Sequence, residues 1–154
     1  MDLIFRKAHA GDLAAIVDLL ADDALGRHRE EASRDLAPYL RAFDQMDADP
    51  NQFLCVADRD GVVVGTLQLT FIPGLSRRGA TRGQIEAVRV ARDARGAGVG
   101  RAMFDWAIET CRAQGCTLVQ LTTDKARPDA HRFYDALGFK ASHIGYKLLL
   151  DPPG

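Results

Sequence analysis

The most constraining feature of the sequence is a glycine-rich segment that joins a β-rich run to an amphipathic one. The segment reads Arg95-Gly-Ala-Gly-Val-Gly-Arg101 and follows the run Gln84–Val90. That run carries β-branched apolar residues, as a strand does. After the glycines, apolar residues recur at helical spacing, which predicts a helix packed on a sheet. They are Val99, Met103, Trp106 and Thr110, with Phe104, Ile108 and Cys111 beside them.

A glycine loop that opens a helix predicts an anion site. The first backbone N–H groups of a helix have no acceptor within the helix. Together with the positive end of the helix dipole they attract anions, and glycine lets a phosphate approach closely. Arg95 and Arg101 flank the loop and add positive charge. We interpret the loop as a pyrophosphate cradle; the alternative is a tight turn whose glycines only permit close packing.

The spacing of the glycines distinguishes this loop from other phosphate-binding loops. It is neither the dinucleotide pattern GxGxxG nor a P-loop, which would end in GK[ST]. It fits Arg-x-x-Gly-x-Gly, and a second segment about thirty residues later reads Arg127-Pro-Asp-Ala-His-Arg-Phe-Tyr-Asp-Ala-Leu-Gly-Phe139. In these two segments the sequence resembles the GNAT superfamily of acyl-CoA-dependent N-acyltransferases. The resemblance covers residues 52–150; the first fifty residues match only in element order.

The resemblance implies a reaction and a set of residues for it. It implies direct transfer of an acetyl group from acetyl-CoA to an amine in a ternary complex, without a metal. It also implies a bulge in the central strand, Glu86 as a candidate general base and Tyr134 as the general acid. The implied cofactor contacts are Val88, Arg89, Val90, Arg95, Gly96, Ala97, Gly98, Val99, Gly100, Arg101, Arg127 and Phe133.

The central strand has a polar residue in an awkward place. Strict alternation along the strand would put Glu86 on the same face as Val88 and Val90. An acid on an apolar face is costly unless a bulge turns it or partners satisfy it. A paired structural glutamate is the alternative to the base, and a core aromatic is the alternative for Tyr134. Arg127 departs from the family pattern, because many relatives carry asparagine at the start of this helix. The departure affects the expected cofactor contact at that position and not the chemistry.

Composition limits the classes of function. With 154 residues, 47% of them hydrophobic, the chain predicts one domain over residues 1–154. A net charge of −1 gives no electrostatic case for binding nucleic acid or an anionic membrane. We find neither an apolar run of about 20 residues nor the residue order of a signal peptide. The three cysteines lack metal-site spacing, and they predict reduced thiols in a cytoplasmic protein.

Turn and periodicity signals predict the order β-α-α-β-β-β-α-β-α-β. This is an α/β (α+β) fold in which a mixed central sheet carries helices on both faces, the order that the resemblance also implies. The second helix should begin near Ser33 or Asp35, and the later start is favoured because Pro38 is tolerated only in a first turn. Thr117–Thr123 and Phe139–Leu150 supply the last strands. Lys147–Leu150 serves either core packing or pairing into a homodimer, and both remain open.

The acceptor is the least determined part of the interpretation: small amines, aminoglycoside-like or polyamine compounds, amino acids and a protein N-terminus or lysine are all open. Four acids between the first two helices suggest a small cationic amine: Asp22, Asp23, Glu30 and Glu31. Two competing functions remain. A non-catalytic acyl-CoA-binding or sensing module would keep the cradle without needing Glu86 or Tyr134. A nucleotide-dependent oxidoreductase would use Asp124 as its ribose-binding acid, but the glycine spacing is wrong and too little chain follows.

Overall fold

The computed structural model describes residues 2–22 and 35–151 of the chain. Contacts divide it into two compact units, one ending at Gln120 and the other beginning at Leu121. Short turns lie at Ala10–Asp12, Ser76–Gly79 and Arg92–Ala94. The longer elements are β1 (Leu3–Lys7), α1 (Leu13–Ala21), α2 (Ala37–Asp47), β2 (Gln52–Arg59), β3 (Val62–Pro73), β4 (Thr81–Val90), α3 (Val99–Ala113), β5 (Cys116–Gln120) and α4 (Pro128–Ala136).

The first unit is built on a five-stranded mixed sheet with the strand order β1-β2-β3-β4-β5. Neighbouring strands are antiparallel from β1 to β4, and β4 and β5 are parallel. The parallel pair follows from the α3 crossover, because parallel strands need a long connection. Asp60 and Gly61 both have positive φ, 53° and 86°, in the predicted β2–β3 hairpin. The mixed sheet is confirmed.

Helices cover both faces of this sheet, as predicted. On one face α3 packs with Trp106 against Phe5 and Phe53, at ring-centroid distances of 5.9 and 5.2 Å. On the other face α1 and α2 bury an apolar cluster that includes Ile16 and Phe43. α2 begins at Ala37 with a proline in its first turn, so the later of the two predicted starts is right.

The second unit contains α4 and the chain that follows it. The Tyr134 ring lies edge-on to Phe133 and Phe139, with centroids 5.6 and 6.1 Å away. The prediction of strands in Phe139–Leu150 is wrong for the structure described, which has no strand there. Alternating apolar residues make a strand only where another strand accepts their backbone hydrogen bonds. The predicted strand Thr117–Thr123 is likewise shorter, ending at Gln120.

A buried ion pair connects β1 to the start of α1. Arg6 donates through Nη1 and Nη2 to the two carboxylate oxygens of Asp12 at 2.8 and 3.0 Å, and through Nε to Asp58 at 3.1 Å. Asp12 also accepts from the backbone N–H of His9 at 2.9 Å. The Asp12 side chain is only 7% exposed. The hydrogen bonds from Arg6 hold the pKa of Asp12 below its usual value, despite burial.

We predict that Asp12→Asn lowers the free energy of unfolding at pH 7 by about 1–3 kcal/mol, because it leaves a charged donor poorly satisfied. The depressed pKa means that the carboxylate stabilises the fold above about pH 4, and that this contribution is lost as the pH falls through the folded-state pKa. Urea unfolding at several pH values measures both effects. Asp18→Asn, at an exposed position of α1, is the control, and equal losses in the two variants would contradict the prediction.

Candidate functional site

The centre of the candidate site is a β-bulge in β4. Gln68 of β3 pairs with Glu86, whereas Thr66, two residues earlier, pairs with Arg89. Two residues of β4, 87 and 88, therefore face one residue of β3. Ala87 has a φ of 54°, a backbone conformation that costs an alanine energy and that recurs at functional sites. The bulge implied by the family resemblance is present.

The bulge decides which face each β4 side chain occupies. Before it, a side chain at Gly83 would meet Cys111 of α3, so this position faces α3. After it, Val90 pairs with Gly65, whose own side chain would meet Met103 of α3. Val88 and Val90 therefore face α3, whereas Glu86, which is exposed, lies on the opposite face. The bulge removes the conflict that strict alternation predicted.

β4 and β5 separate beside the bulge. Their parallel pairing covers Thr81–Gln84 of β4 and ends at the pair Gln84–Gln120. The rest of β4 pairs only with β3 in the described sheet. The backbone groups of this part of β4 that point away from β3 therefore lie at an open edge. Two side chains occupy carbonyls there: Arg89 Nη1 donates to Val88 O at 2.9 Å, and Arg95 Nε donates to Val90 O at 3.2 Å.

The predicted glycine loop leads into α3 as expected. Gly98 is the residue before the helix, with a φ of 80°, and Gly96 has a φ of 82°. Both values lie in the left-handed region, which explains the choice of glycine. Open space surrounds the Cα of both residues, since an added Cβ would have no atom within 4 Å. The loop thus has the room and the helix N-terminus that an anion needs.

The charge around the loop is partly neutralised by α1. Arg92 donates to Asp22 Oδ1 at 2.8 Å, and Arg95 lies 3.7 Å from Asp22 Oδ2. Arg101 contacts Asp105 at 3.3 Å, one turn along α3. Asp22 therefore holds cations of the protein, which weakens the suggestion that it selects a cationic acceptor. The three other acids of that suggestion, Asp23, Glu30 and Glu31, lie outside the described residues.

A small apolar cavity reaches the bulge from the α1 and α2 side. Its volume is about 110 Å³, and its walls include Ile16, Phe43, Leu54 and Ala87. The polar lining atoms of β3 are engaged: Thr66 donates to Cys55 O at 2.9 Å and Gln68 to Gln52 at 2.9 Å. The cavity therefore offers apolar contact next to Glu86.

The remaining predicted site residues lie on the second unit. Arg127 precedes α4, and Phe133 and Tyr134 lie in its last two turns; all three are half-buried. They lie close to one another along α4 and at its beginning.

The buried thiols are poor nucleophiles. Burial raises the pKa of Cys55 and of Cys111 to about 12 in each case. At neutral pH both are therefore almost entirely protonated, and thiolate is the reactive form of cysteine. Within residues 2–22 and 35–151, no group of three His, Cys, Asp or Glu side chains is placed to hold a metal ion.

The sequence interpretation missed a hydrogen-bonded group on the face of β4 that carries Glu86. Arg82 Nη1 donates to Gln120 Oε1 at 3.3 Å, and Gln120 Nε2 donates to Gln84 Oε1 at 3.0 Å. The polar residues 82, 84 and 86 alternate with Gly83 and Ile85 in the sequence. That alternation is the signal that would have found the group, because residues two apart share one face of a strand.

Comparison with known proteins identifies relatives of this arrangement. The family model described as "Acetyltransferase (GNAT) family" matches residues 13–139. A crystal structure described as a transcriptional regulator from Bacillus halodurans C-125 is 49% identical, with a TM-score of 0.92 over 97% of this chain and 100% of that one.

Two further relatives are named by their reactions. An aminoalkylphosphonate N-acetyltransferase of Salmonella typhimurium is 37% identical over 66% of this chain. A glucosamine 6-phosphate N-acetyltransferase of Trypanosoma brucei brucei is 39% identical over 57% of it. The matched segments span 66% and 58% of those proteins' own lengths.

We predict that Gly98→Ala lowers the free energy of unfolding by about 1–2 kcal/mol, because the left-handed backbone strains a residue with a Cβ. Chemical denaturation measures the loss. Gly74→Ala is the control: its φ is not in the left-handed region and its Cβ would lie 3.9 Å from the nearest atom. That variant should keep its stability or gain up to about 1 kcal/mol. Equal stability of Gly98→Ala and the parent would contradict the prediction.

Proposed function

Because the chain belongs to the acetyltransferase (GNAT) family, whose model covers residues 13–139, we propose that it transfers the acetyl group of acetyl-CoA to a primary amine of a small molecule. The observation that carries the proposal is the separation of β4 from β5 beside the bulge at Ala87. At a separated strand edge, the free backbone groups can form hydrogen bonds with an extended ligand, in the way that they would with a neighbouring strand. The family match crosses Gln120, and we therefore treat residues 1–154 as one N-acetyltransferase domain.

The residues near the glycine loop would hold the acetyl-CoA substrate, which brings the acetyl group as an activated thioester. Backbone groups at Val88 and Val90 would bond its extended arm, with Arg89 and Arg95 giving up their hydrogen bonds to the two carbonyls where the arm needs them. The loop from Gly96 to Gly100 would bind its pyrophosphate through backbone N–H groups and the α3 dipole. Positive side chains around the loop would add attraction. Further contacts are proposed at Arg89, Arg95, Arg101, Arg127 and Phe133.

Two side chains would move protons. Glu86 is exposed beside the bulge, and we assign it the proton of the acceptor ammonium, taken directly or through a water, because only a neutral amine attacks a thioester carbonyl. When the new C–N bond forms and the C–S bond breaks, the Tyr134 hydroxyl would donate a proton to the leaving sulfur, and the proton that the attacking nitrogen loses would restore the hydroxyl through solvent. No covalent enzyme intermediate is needed, which agrees with the raised pKa values of Cys55 and Cys111.

The acceptor we propose is a small amine. Support comes from the size of the apolar cavity, about 110 Å³, and from two relatives named for small-molecule amines. A second positive charge on the acceptor has less support, because Asp22 already bonds Arg92. We also propose that the protein carries out this reaction in the cytoplasm, without a nucleic-acid or membrane partner. No helix within residues 2–22 and 35–151 could span a membrane.

A second candidate function is that of a module that binds acyl-CoA without catalysing a reaction. The specific observation in its favour is the description of the Bacillus halodurans relative as a transcriptional regulator. Such a module needs the loop and the open strand edge, but it does not need Glu86 or Tyr134. Turnover distinguishes the two candidates.

The test is a thermal melt with acetyl-CoA, desulfo-CoA and NAD, followed by a CoA-release assay on a panel of amines. Ligand at about 100 times its dissociation constant stabilises a protein by roughly 2.7 kcal/mol, a shift of several degrees for a domain of this size. Stabilisation by both CoA compounds with release of CoA supports the proposal. Stabilisation without release on any amine favours the sensing module, and stabilisation by NAD alone overturns the interpretation of the loop.

We predict that Glu86→Gln lowers kcat/KM by about 10²–10⁴, the usual contribution of a general base. Binding of desulfo-CoA, measured by calorimetry, should stay within about threefold. Glu109→Gln, which removes an exposed acid of α3 that pairs with Arg112, is the control. An unchanged kcat/KM in Glu86→Gln would mean that this carboxylate takes no proton.

We predict that Tyr134→Phe lowers kcat by at least about tenfold while the affinity for acetyl-CoA changes little, because the hydroxyl acts on the leaving sulfur rather than in binding. The ring packing against Phe133 and Phe139 is retained in this variant. Equal kcat values for the variant and the parent would remove Tyr134 from the mechanism.

A further inference from the structure

The face of β4 opposite α3 carries three polar side chains in a row. Arg82, Gln84 and Glu86 occupy alternate positions on the strand face opposite α3, since Gly83 between the first two points at Cys111. We call these three residues the β4 polar row. Its last member is the proposed base beside the bulge, so the row extends from the reaction centre along the sheet.

Hydrogen bonds orient the donors of this row. Gln120 Oε1 accepts from Arg82 at 3.3 Å and its Nε2 donates to Gln84 Oε1 at 3.0 Å. Gln84 therefore acts as an acceptor toward Gln120, and its own amide nitrogen is left as a donor. Arg82 donates one N–H to Gln120, and a guanidinium has five N–H donors. The row thus presents fixed donors of the kind that bind oxyanions.

Among the described residues, Arg82 has a neutral partner rather than an acidic one. Several other arginines lie against carboxylates, among them Arg6 on Asp12 and Arg92 on Asp22. In the part of the chain that the structure describes, no carboxylate lies within 4.0 Å of Arg82, and its partner is the neutral Gln120. Arg82 is half-buried in the sheet. A half-buried cation without an acid is costly, and a bound anion would offset that cost.

We propose that Arg82 and Gln84 bind an anionic group on the acceptor, so that the substrate is an amine joined by a short chain to a phosphoryl or carboxylate group. This inference rests on the proposed function, which places the acceptor amine at Glu86. The Cα atoms of Arg82 and Glu86 are four residues apart on the strand, roughly 13 Å. Both side chains are long, so an acceptor with several bonds between amine and anion bridges them. Glu86 receives the positive end and Arg82 the negative end.

The test compares acceptors that share an amine and differ in the anion: 3-aminopropyl phosphate, 4-aminobutyrate and the uncharged 3-amino-1-propanol. We expect kcat/KM to be at least about tenfold higher for one of the anions than for the alcohol, and whichever anion shows this identifies the group. Arg82→Gln should raise KM for that anion about tenfold or more, with kcat within about threefold. KM for the alcohol should change less than about twofold, and Arg82→Lys should fall between.

Arg59→Gln is the matched control, because Arg59 is also a half-buried strand arginine but pairs with Leu3 at the β1 side of the sheet. It should leave all three acceptors unaffected. Circular dichroism and melting temperature check that Arg82→Gln is folded. An equal rise in KM for anion and alcohol, or no rise for either anion, overturns the proposal.

The failure of this inference differs from the failure of the proposed function. If the parent acetylates 3-amino-1-propanol with the same kcat/KM as both anionic amines, the proposed function stands and the proposed anion site is wrong. If the parent acetylates no amine, the function falls, and the anion site is judged by calorimetric titration of 3-aminopropyl phosphate into the protein with CoA. Binding that Arg82→Gln weakens about tenfold supports the site, and absence of binding to the parent overturns it.

Discussion

The bulge at Ala87 is the constraint on which the rest of the candidate site depends. By opposing two residues to one on β3, it reverses the side-chain phase of β4 halfway along the strand. Glu86 can therefore face away from α3 while Val88 and Val90 pack toward it. Without the reversal, the strand would have to bury an acid or expose two valines. The left-handed backbone of Ala87 is the energetic cost of this arrangement, and the surrounding sheet holds the residue in that conformation.

The same strand separates two kinds of chemistry. On its open edge, beyond Gln84, the backbone groups no longer pair with β5. On its face opposite α3, the β4 polar row ends at Glu86. A ligand on the edge and a ligand on the face would meet at the bulge, which is the geometry that a transfer between two substrates requires. The charge near this edge suits an anionic ligand, because the loop is basic and Asp22 neutralises only part of its charge.

Much of the fold was predictable because the signals are local. The Asp60-Gly61 hairpin, the glycine loop and the start of α2 all follow from backbone preferences of a few residues. The failures are non-local. Residues 139–150 alternate like a strand, yet Ile144, Tyr146 and Leu148 are 76%, 91% and 86% exposed in the described unit. Strand pairing depends on a partner elsewhere in the chain, which periodicity does not specify.

The sequence by itself determined the loop and α3, since their glycines and apolar spacing fix φ values and the buried face of the helix. It also placed Glu86 and Tyr134 as candidates, through a family pattern. Only the tertiary structure decided that Glu86 faces away from α3, that Asp22 bonds Arg92, and that Gln120 joins Arg82 to Gln84. These depend on strand register and on contacts between residues 36 to 70 positions apart. Register is set by the packing of the whole sheet, and one residue of slip moves every side chain to the other face.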